Sequence, residues 1–590
     1  MPFYETEEFK AREERHSVDS AKHENNKRAS LSSKNPVLWL PPSLSSSPVS
    51  KMKFTALVGS ALLSFASAAI TRNTTYDYIV AGAGASGLVV AEKLAAAGHK
   101  VLLVERGGTS YYSTGNRDDL MKWNKTVTAY DVPGMAYYTD SSPTIQWCTD
   151  IAASAGCLLG GSTMLNALMF IKPRAADFES WPKGWHWEDG VSEAAKSVFE
   201  RMPGSILPSA DGKRYDDGAF KVMSKFLENN GWDEVDALNN VEAKDKIFTH
   251  PPWLISSGLR GGPVRDILPD AQALDNFNLQ LHAKVLRVVR KGPIVTGVEV
   301  EHEDASREII KLSKGGSVIL SSGTHSTPRI LFNSGIGPKK QIRIVESGST
   351  KIKLPPASQW IDLPVGQRLR DHPIVVVDFE TKDKLQALPS TAFTDPNDET
   401  VELFAEGSGL LSQSNQRLNF WKSVKGSDGI TRYVQGTVNA PKNNTISAKV
   451  YLTHGLTSHG TLEITPEGNT NITQKPFLNT KGDRDALKTF VDELLSYARK
   501  PNSNLSVPSN VTADSIMEVS YSGNHHLGSA HMGANNDGKS VIGPDTRVWG
   551  TKNLFVVDGS MHPEVPTGNT QAFIMVAAAH AANKILDLTS

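Results

Sequence analysis

The clearest pattern of apolar and polar positions lies between Tyr76 and Glu105. Residues 78–81 form an apolar run that predicts a β-strand, and three glycines in G-x-G-x-x-G spacing follow it directly. Residues 88–97 then show the apolar spacing of a helix, and residues 100–104 form a second apolar run. A strand, a tight turn, a helix and a second strand in this order predict the first βαβ unit of a Rossmann-like α/β domain.

The glycines of this unit have separate tasks in binding a dinucleotide. Gly82 makes the tight turn, Gly84 lets a pyrophosphate approach the helix N-terminus, and Gly87 lets the helix pack on the strand. Glu105, 23 residues after Gly82, is placed to accept hydrogen bonds from an adenosine ribose. The alternative is a purely structural use of the glycines, which the flanking strands and the terminal acid disfavour. The predicted binding residues of this unit are Gly82, Gly84, Ala85, Ser86, Gly87, Glu105 and Arg106.

Further runs predict more strands of this sheet and a second sheet. Residues 278–289, 296–301 and 316–323 have the β-branched, alternating composition of strands. Residues 374–520 are rich in Thr and Asn and contain short alternating runs such as AKVYLTHGL. Such runs are typical of a mostly antiparallel sheet with one face toward a pocket.

Composition and charge narrow the classes of function. The chain has 590 residues, of which 39% are hydrophobic and 21% charged, and its net charge is −1. A chain of this length can form two domains with a large core. Without a basic excess, no nucleic-acid partner is expected. No apolar run is long enough to span a bilayer, so no membrane partner is expected either.

The first residues have the pattern of a leader rather than of a folded domain. Lys53 precedes an apolar stretch over 54–69 that ends in small residues, which is the pattern of a secretory signal peptide. We therefore expect a signal peptide over 52–69, a secreted protein, and a disordered leader or upstream extension over 1–51. The alternative for 54–69 is a buried core helix.

Sequons and cysteines fit an oxidising compartment. Six N-x-S/T sequons begin at Asn73, Asn124, Asn443, Asn471, Asn504 and Asn510. Such sequons are glycosylation acceptors in secreted proteins. The two cysteines, Cys148 and Cys157, suggest a disulfide that closes a ten-residue segment. The alternative is two buried free thiols, since spacing does not establish geometry.

Four further segments carry a resemblance to a known family. They are CLLGGSTMLNALMFIKP (157–173), GTHSTPRILFNSGIG (323–337), NHHLGSAHMG (524–533) and the segment 558–586 that begins DGSMHPEVPTGNTQ. Together they resemble the glucose–methanol–choline (GMC) family of FAD-dependent oxidoreductases. The stretches WCTDIAASAGCLLGG, GLRGGPV, KVYLTHGLTSHG and NLFVVDGSMHPEVPTGN also resemble the flavin domain of fungal cellobiose dehydrogenases.

This resemblance implies the division of the chain into domains. The FAD-binding domain would be assembled from residues 76–173, 254–373 and 535–590. The substrate domain, with its antiparallel sheet, would consist of residues 174–253 and 374–534. FAD is the cofactor that the resemblance implies.

The resemblance also implies the catalytic pair. Oxidation of an alcohol needs a base for the hydroxyl proton, and histidine suits this because its pKa is easily tuned. By resemblance the base is His525, and its partner is Asn569, which orients the substrate oxygen without titrating. The adjacent His526 is the alternative base. No carboxylate or cysteine accompanies the histidines at ligand spacing, so no metal site is expected.

The remaining cofactor contacts follow from the same segments. The resemblance assigns them to Gly160, Gly161, Ser162, Thr163, Asn166, Val285, Asp558, Gly559, Gly568, Asn569 and Thr570. Some relatives attach FAD through a histidine in the loop around Gly161. Leu165 stands at that position here, so FAD is expected to be bound non-covalently.

The substrate and the acceptor are less fixed. Arg432, Tyr451 and Asn524 lie in segments that resemble sugar-contacting ones, but Met135 stands where an acidic sugar ligand is expected. A sugar or other alcohol is the expected substrate, and a quinone or redox protein the expected acceptor. The alternatives are an oxidase that forms hydrogen peroxide, a hydroxynitrile-lyase-type flavoprotein without net redox chemistry, and a catalytically silent flavin-binding module.

Overall fold

Two β-sheets organise the fold, one built around parallel strands and the other mostly antiparallel. The computed structural model describes residues 74–139 and 144–588, and these belong to one compact unit. The expected leader and signal peptide, residues 1–51 and 52–69, lie outside the described residues. The strands are β1 Thr75–Ala81, β2 Val101–Val104, β3 Leu120–Met121, β4 Asn124–Thr128, β5 Asp233–Glu234, β6 Ile247–Thr249, β7 Ile255–Ser256, β8 Leu259–Arg260, β9 Phe277–Gln280, β10 Ala283–Lys291, β11 Ile294–His302, β12 Arg307–Leu320, β13 Pro373–Thr381, β14 Leu418–Lys425, β15 Thr431–Lys442, β16 Thr445–Leu452, β17 Thr461–Ile464, β18 Thr470–Gln474, β19 Leu505–Ser506, β20 Tyr521–Ser522 and β21 Leu554–Val556.

Helices cover the first sheet and support the second. The α-helices are α1 Ala85–Ala96, α2 Val191–Arg201, α3 Gly218–Glu228, α4 Pro263–Asp266, α5 Leu268–Gln272, α6 Gly323–Asn333, α7 Lys339–Ser347, α8 Thr391–Thr394, α9 Asp398–Ala405, α10 Lys481–Ala498, α11 Ala513–Glu518 and α12 Gln571–Asp587. The 3-10 turns are Tyr112–Thr114, Pro133–Tyr137, Gly161–Met164, Ala175–Phe178, Trp187–Asp189, Ala357–Gln359, Leu410–Ser412 and Gly559–Met561. Among the residues described, no helix is sufficiently long and apolar to cross a membrane.

The first sheet has the order β10-β11-β12-β1-β2-β9, with β21 beside β12. The strands β9, β2, β1, β12 and β21 run parallel, whereas β10 and β11 form an antiparallel ribbon on β12. Every residue of β2 is buried, as expected for a strand covered on both faces. Helices α1 and α12 pack against each other. The Rossmann-like α/β prediction is confirmed.

The second sheet has the order β19-β13-β16-β15-β14-β6-β5, with β20 beside β13. All its pairs are antiparallel except β5 with β6. This confirms the expected antiparallel sheet. All its strands come from residues 233–249 and 373–522, and those of the first sheet come from 75–104, 277–320 and 554–556. Helix α2, in the expected substrate segment, packs against α12 instead.

Two strand predictions differ from the structure in their limits. Residues 278–289 form two strands, β9 and β10, because His282 between them has a left-handed φ of 55°. The strand expected over 316–323 is longer at its start and stops at Leu320, because Gly323 already begins α6.

Candidate active site

The glycine turn after β1 leaves an open cradle. A side chain at Gly82, which has φ 107°, would come within 2.5 Å of the Ser321 carbonyl oxygen at the end of β12. At Gly87 a Cβ atom would lie only 1.8 Å from the carbonyl oxygen of Gly82, so helix and strand touch here. At Gly84 a Cβ atom would meet nothing within 4 Å. The open space therefore lies at the middle glycine, where a pyrophosphate needs it.

The start of α1 faces this space. Gly84 is the N-cap of α1 and no side chain caps the helix, whose first residues are Ala85 and Ser86. Free backbone N–H groups at a helix N-terminus bind phosphate well, because they donate hydrogen bonds and the helix dipole favours negative charge. The residues present therefore fit the diphosphate of FAD.

Glu105 ends β2 beside the same turn. Its side chain is buried; Oε2 accepts from the Ala83 N–H at 2.8 Å and Oε1 from the Gly107 N–H at 3.0 Å. Burial raises the pKa of Glu105, and these two N–H donors oppose that rise. Each carboxylate oxygen keeps a second lone pair, which fits the expected hydrogen bonds to a ribose.

Arg106 has a different surrounding from the one expected of a nucleotide contact. Its guanidinium binds Asp150 in a bidentate pair, at 2.9 and 2.8 Å, and Lys284 and Arg329 contact the same carboxylate. Burial favours the neutral form of Asp150, but these three cations hold its pKa well below the usual range. Arg106 thus fixes the segment between the cysteines to the first sheet. Val285 lies buried on β10, opposite Val300.

The segment after the cysteines forms a second wall of the cradle. Gly160 donates from its N–H to the Ala83 carbonyl at 2.8 Å, and a Cβ atom on Gly161 would lie 3.1 Å from the Gly84 Cα. Two side-chain hydrogen bonds stabilise the turn. The Thr163 hydroxyl donates to the Gly160 carbonyl, and the Ser162 hydroxyl accepts from the Gly156 N–H. The suggested disulfide between Cys148 and Cys157, which closes the preceding loop, is present.

Asn166 connects this wall to the C-terminal helix. Its amide nitrogen donates to Gln571 at 2.6 Å, and its oxygen accepts from Arg260 at 3.0 Å and from the Leu168 N–H. Gln571 is the first residue of α12, and its N-cap Thr570 makes no side-chain cap. The start of α12, preceded by Gly568 and Asn569, therefore presents uncapped N–H groups, which fits an electron-rich flavin oxygen.

Asp558 acts through the backbone around it. Its buried carboxylate accepts from the Ser560 N–H and hydroxyl, the Gly323 N–H and the Thr327 hydroxyl. Burial raises its pKa, and the donors oppose the rise. These bonds join the start of α6 to the turn that contains Gly559. The carboxylate is thus structural, and any contact of this pair with FAD would use the main chain.

His525 and Asn569 lie together. The Nε2 atom of His525 is 3.2 Å from the amide nitrogen of Asn569, and the Asn569 oxygen accepts from Gln435 at 2.8 Å. An amide nitrogen only donates, so Nε2 of His525 is the acceptor. Tyr451 stacks beside the imidazole, with ring centroids 5.8 Å apart. Burial lowers the pKa of His525 to about 4, against the attraction of Asp371. At neutral pH the imidazole is an uncharged base.

His526, the alternative base, has its ring against His325 and near Asp371 rather than at Asn569. Its ring packs edge-to-face on His325 with centroids 4.8 Å apart, and its Nε2 atom is 3.6 Å from Asp371. Its side chain is 5% exposed. Asn569 contacts His525, so the pairing in the structure favours His525 as the base.

Arg432 has no surface that a substrate could contact. Its side chain has no exposed surface, and it binds Asp428 and Asp483 at 2.7 Å each. The guanidinium also donates to Thr457. The assignment of Arg432 to substrate contact is therefore corrected: the side chain stabilises the turn between β14 and β15 against the start of α10.

Asn524 and Tyr451 differ in exposure: Asn524 lies at the surface, whereas Tyr451 is buried beside the base. Asn524 is exposed, has a left-handed φ of 54°, and accepts from the Ser154 N–H at 3.4 Å. It joins the disulfide loop to the segment of the base. Tyr451 is 9% exposed and lies beside His525, where it can contact a substrate.

Three residues of the site were not anticipated from the sequence. Gln435 holds Asn569, and Asp371 and His372 hold His525. The pair Asp371-His372 directly precedes Pro373 at the start of β13, a signal that could have drawn attention to it. Gln435 becomes visible only through the register that places it opposite Tyr451. Within the described ranges, no group of three or more His, Cys, Asp or Glu side chains could hold a metal ion.

Two family models match this chain. Both are described as GMC oxidoreductase; the N-terminal one matches residues 76–374 and the C-terminal one residues 457–578, more than half of the chain. The chain belongs to the GMC oxidoreductase family. Members are FAD-dependent oxidoreductases that act on alcohol-type substrates, so this GMC oxidoreductase is an enzyme of that class with FAD as cofactor.

Two curated relatives of this GMC oxidoreductase share about a quarter of its residues. Oxygen-dependent choline dehydrogenase of Burkholderia pseudomallei is 24% identical over 554 residues, which cover 86% of this chain and 93% of the relative. That of Yersinia pseudotuberculosis is 25% identical over 562 residues, with coverage of 86% and 93%.

Solved structures show the same fold. Formate oxidase has a TM-score of 0.69 at 19% identity, covering 88% of this chain and 99% of its own. A fungal aryl-alcohol oxidase has a TM-score of 0.66 at 18% identity, covering 87% and 99%. At these identities the likeness establishes the fold alone.

Proposed function

We propose that this GMC oxidoreductase is a secreted dehydrogenase that oxidises a CH–OH group of a sugar or related alcohol and passes electrons to an acceptor other than oxygen, such as a quinone or redox protein. The observation that carries the alcohol-oxidation part of this proposal is the uncharged His525, whose Nε2 lone pair faces Asn569. FAD, when bound, supplies the hydride acceptor for the carbinol C–H bond.

The two side chains have complementary tasks. A substrate hydroxyl that bridges the two side chains would replace their direct contact: it would accept a hydrogen bond from the Asn569 amide and donate its proton to Nε2 of His525. Gln435 keeps the Asn569 amide in the orientation that donates, because it occupies the oxygen. Because burial lowers the pKa of His525 to about 4, the imidazole is uncharged at neutral pH and can accept a proton there. The oxidised substrate is a carbonyl compound or, from an anomeric hydroxyl, a lactone.

The face of the second sheet toward this pair favours a hydroxylated substrate. Trp421, Gln435 and Tyr451 lie opposite one another on β14, β15 and β16, and directly opposite residues share one face. Thr437 and Lys449 form part of the next row on that face. Trp421 is fully buried and the Gln435 amide already binds Asn569, so Tyr451, beside His525, is the member of this row that can offer a ring and a phenol hydroxyl to a sugar.

Choline fits this face less well than a sugar does. A quaternary ammonium is recognised by aromatic rings without a nearby cation. Lys449 places an ammonium two residues from Tyr451, and its Nζ atom lies 5.6 Å from the centroid of the Tyr137 ring. The choline named for the curated relatives is therefore not our first candidate, and segments similar to cellobiose dehydrogenases support a sugar.

We expect an aldose or an oligosaccharide to bleach the oxidised-flavin absorbance anaerobically, with choline slower. The test is a panel of sugars, aryl alcohols, aliphatic alcohols and choline, with the initial rate of bleaching as readout. Active substrates are then repeated with a quinone, a dye or O2 as acceptor. Faster turnover with O2 would replace the dehydrogenase proposal by an oxidase. A flavin that no alcohol reduces would refute the redox proposal and favour the lyase.

We expect FAD to leave the denatured protein intact. Leu165, 9% exposed at the end of the Gly161–Met164 turn, offers no nucleophile to the cofactor. A solved formate oxidase variant was studied for FAD modification, so the point requires measurement here. The test is acid precipitation of the holoenzyme followed by chromatography of the supernatant. Yellow colour or flavin fluorescence that stays with the polypeptide would contradict non-covalent binding.

We expect the secreted protein to begin near Ile70, after removal of the signal peptide. Its residues lie outside the described structure, but two observations on the described part support export. Disulfides such as Cys148–Cys157 are typical of oxidising compartments, and the sequon residues Asn443, Asn471 and Asn510 are exposed. N-terminal sequencing of protein from the medium tests the expectation. A cytosolic product that retains residues 1–51 and carries no glycan would overturn it.

A further inference from the structure

His372 contacts the base from the side opposite to Asn569. Its Nδ1 atom lies 3.0 Å from Nδ1 of His525, and the two rings cross at 82°. His372 has no exposed surface. The imidazole of His525 is thus held at both nitrogens, by Asn569 at Nε2 and by His372 at Nδ1.

The hydrogen bonds from Gln435 through Asn569 to His525 determine which nitrogen of His525 carries the proton. Gln435 donates to the Asn569 oxygen, so the Asn569 nitrogen faces His525 and donates to Nε2. A neutral imidazole carries one proton, and with Nε2 as acceptor that proton is on Nδ1. The 3.0 Å contact then requires Nδ1 of His372 to accept it.

Asp371 fixes both histidines by the main chain. Its Oδ1 atom accepts the N–H groups of His372 and His525, each at 2.9 Å, and its Oδ2 atom accepts the Ser522 hydroxyl at 2.5 Å. The carboxylate has no exposed surface. The backbones of His372 and His525, 153 residues apart, are thereby tied to a single group.

We propose that His372 is a positioning residue for the base: by accepting the Nδ1 proton of His525, it keeps the lone pair of His525 on Nε2, toward Asn569 and the substrate. A base oriented by a third group is the general arrangement of catalytic triads. Here a neutral histidine is the orienting group. The inference rests on the proposed role of His525 in alcohol oxidation and adds a residue that stays away from the substrate.

The charges around the pair determine how it responds to pH. Asp371, His526, His372 and Tyr451 face His525; His454 faces His372, and Lys475 faces Asp371. Burial lowers the pKa of His372 well below its usual value, with His525 and His454 adding to the effect. His372 is therefore uncharged at neutral pH, and its Nδ1 atom can accept the hydrogen bond from His525.

Two substitutions at the same position separate positioning from packing. His372→Leu removes the acceptor, whereas His372→Asn keeps an oxygen near the position of Nδ1. We expect His372→Leu to lower the rate of anaerobic flavin reduction at least about tenfold, with the substrate dissociation constant changed less than about twofold. The acid limb of the pH–rate profile of His372→Leu should move to lower pH, because without this acceptor the imidazolium form of His525 is less stabilised and its pKa falls. His372→Asn should recover most of the rate.

The matched control is His531→Leu. His531 is a buried histidine whose carbonyl accepts from Val541 and whose pKa burial lowers to about 4. The substitution puts leucine in place of a buried imidazole without touching the contact between His372 and His525. We expect its reduction rate to stay within about twofold of the parent. If it slows the enzyme as much as His372→Leu does, the effect is general loss of packing and the proposal fails.

A second measurement needs no turnover. Nitrogen NMR of holoenzyme labelled with 15N-histidine reports which ring nitrogen carries the proton, and the signal lost in His525→Gln identifies His525. We expect a proton on Nδ1 of His525 in the parent and a changed tautomer balance in His372→Leu. A proton on Nε2 in the parent would overturn the proposal even if His372→Leu does not fold. If no alcohol reduces the flavin, the proposed function fails, yet this measurement still decides the role of His372.

Discussion

His525→Ala should lower the rate of flavin reduction by at least about 10²-fold, the lower end for loss of a positioned general base. The variant has no group at the Asn569 amide that can take the hydroxyl proton. FAD occupancy should hardly change, since Gly84 and Glu105 lie at the turn after β1 and the end of β2. Anaerobic stopped-flow absorbance isolates this step from reoxidation. A reduction rate near that of the parent would show that another group takes the proton.

Substitutions of His526 and Asn569 show whether the loss of rate is specific to His525. His526→Ala should reduce the rate far less, because the His526 ring lies against His325 rather than Asn569. Asn569→Ala should be intermediate, since it removes an orienting donor but no titrating group. In the parent, the rate should be level near neutral pH and should fall with a midpoint at about pH 4, as His525 becomes protonated. If His526→Ala is the crippled variant, the assignment of the base is displaced by one residue.

The first sheet was predictable because its signals are local. The strand, turn, helix and strand from Tyr76 to Glu105 follow from apolar spacing and glycine positions, and β1, α1 and β2 lie there. The break at His282 was missed, because β-branched residues continue on both sides of it and only the backbone turns. Local patterns therefore predict strands better than their interruptions.

Only those site residues that lie in short segments of recognisable sequence could be predicted. His525 and Asn569 lie in segments of distinct character, and their meeting at 3.2 Å agrees with their assignment as a pair. Arg432 misled because arginine suits sugar hydroxyls, while its two carboxylate partners, Asp428 and Asp483, decide its role only after folding. His372 is 153 residues from His525, and no local pattern connects them.

Cofactor binding should respond strongly to one methyl group at Gly84. Gly84 has φ −80° and ψ −166°, which any residue can adopt, and a Cβ atom there meets no protein atom within 4 Å. Gly84→Ala should therefore leave the apo-protein as stable as the parent. Its methyl group would occupy the space in front of the α1 N-terminus and displace the FAD diphosphate from those N–H groups. Loss of one or two charge-assisted hydrogen bonds, about 1.5–3 kcal/mol each, predicts an affinity lower by about tenfold to about 10⁴-fold.

Two other glycines make the Gly84→Ala test specific. Gly218→Ala, at the start of α3, places a Cβ atom at an ordinary 3.5 Å from Leu385, so neither stability nor FAD affinity should fall. Gly87→Ala would bring a methyl carbon within 1.8 Å of the Gly82 carbonyl oxygen and should destabilise the apo-protein by about 1–3 kcal/mol. Titration of deflavinated protein with FAD gives the affinity, and urea unfolding of the apo form gives the stability. If Gly84→Ala binds FAD like the parent, the diphosphate does not lie on this turn. If it unfolds like Gly87→Ala, the open space at Gly84 is not available to a ligand. The predicted combination, normal apo stability with weak FAD binding in Gly84→Ala alone, arises only if the start of α1 holds the diphosphate.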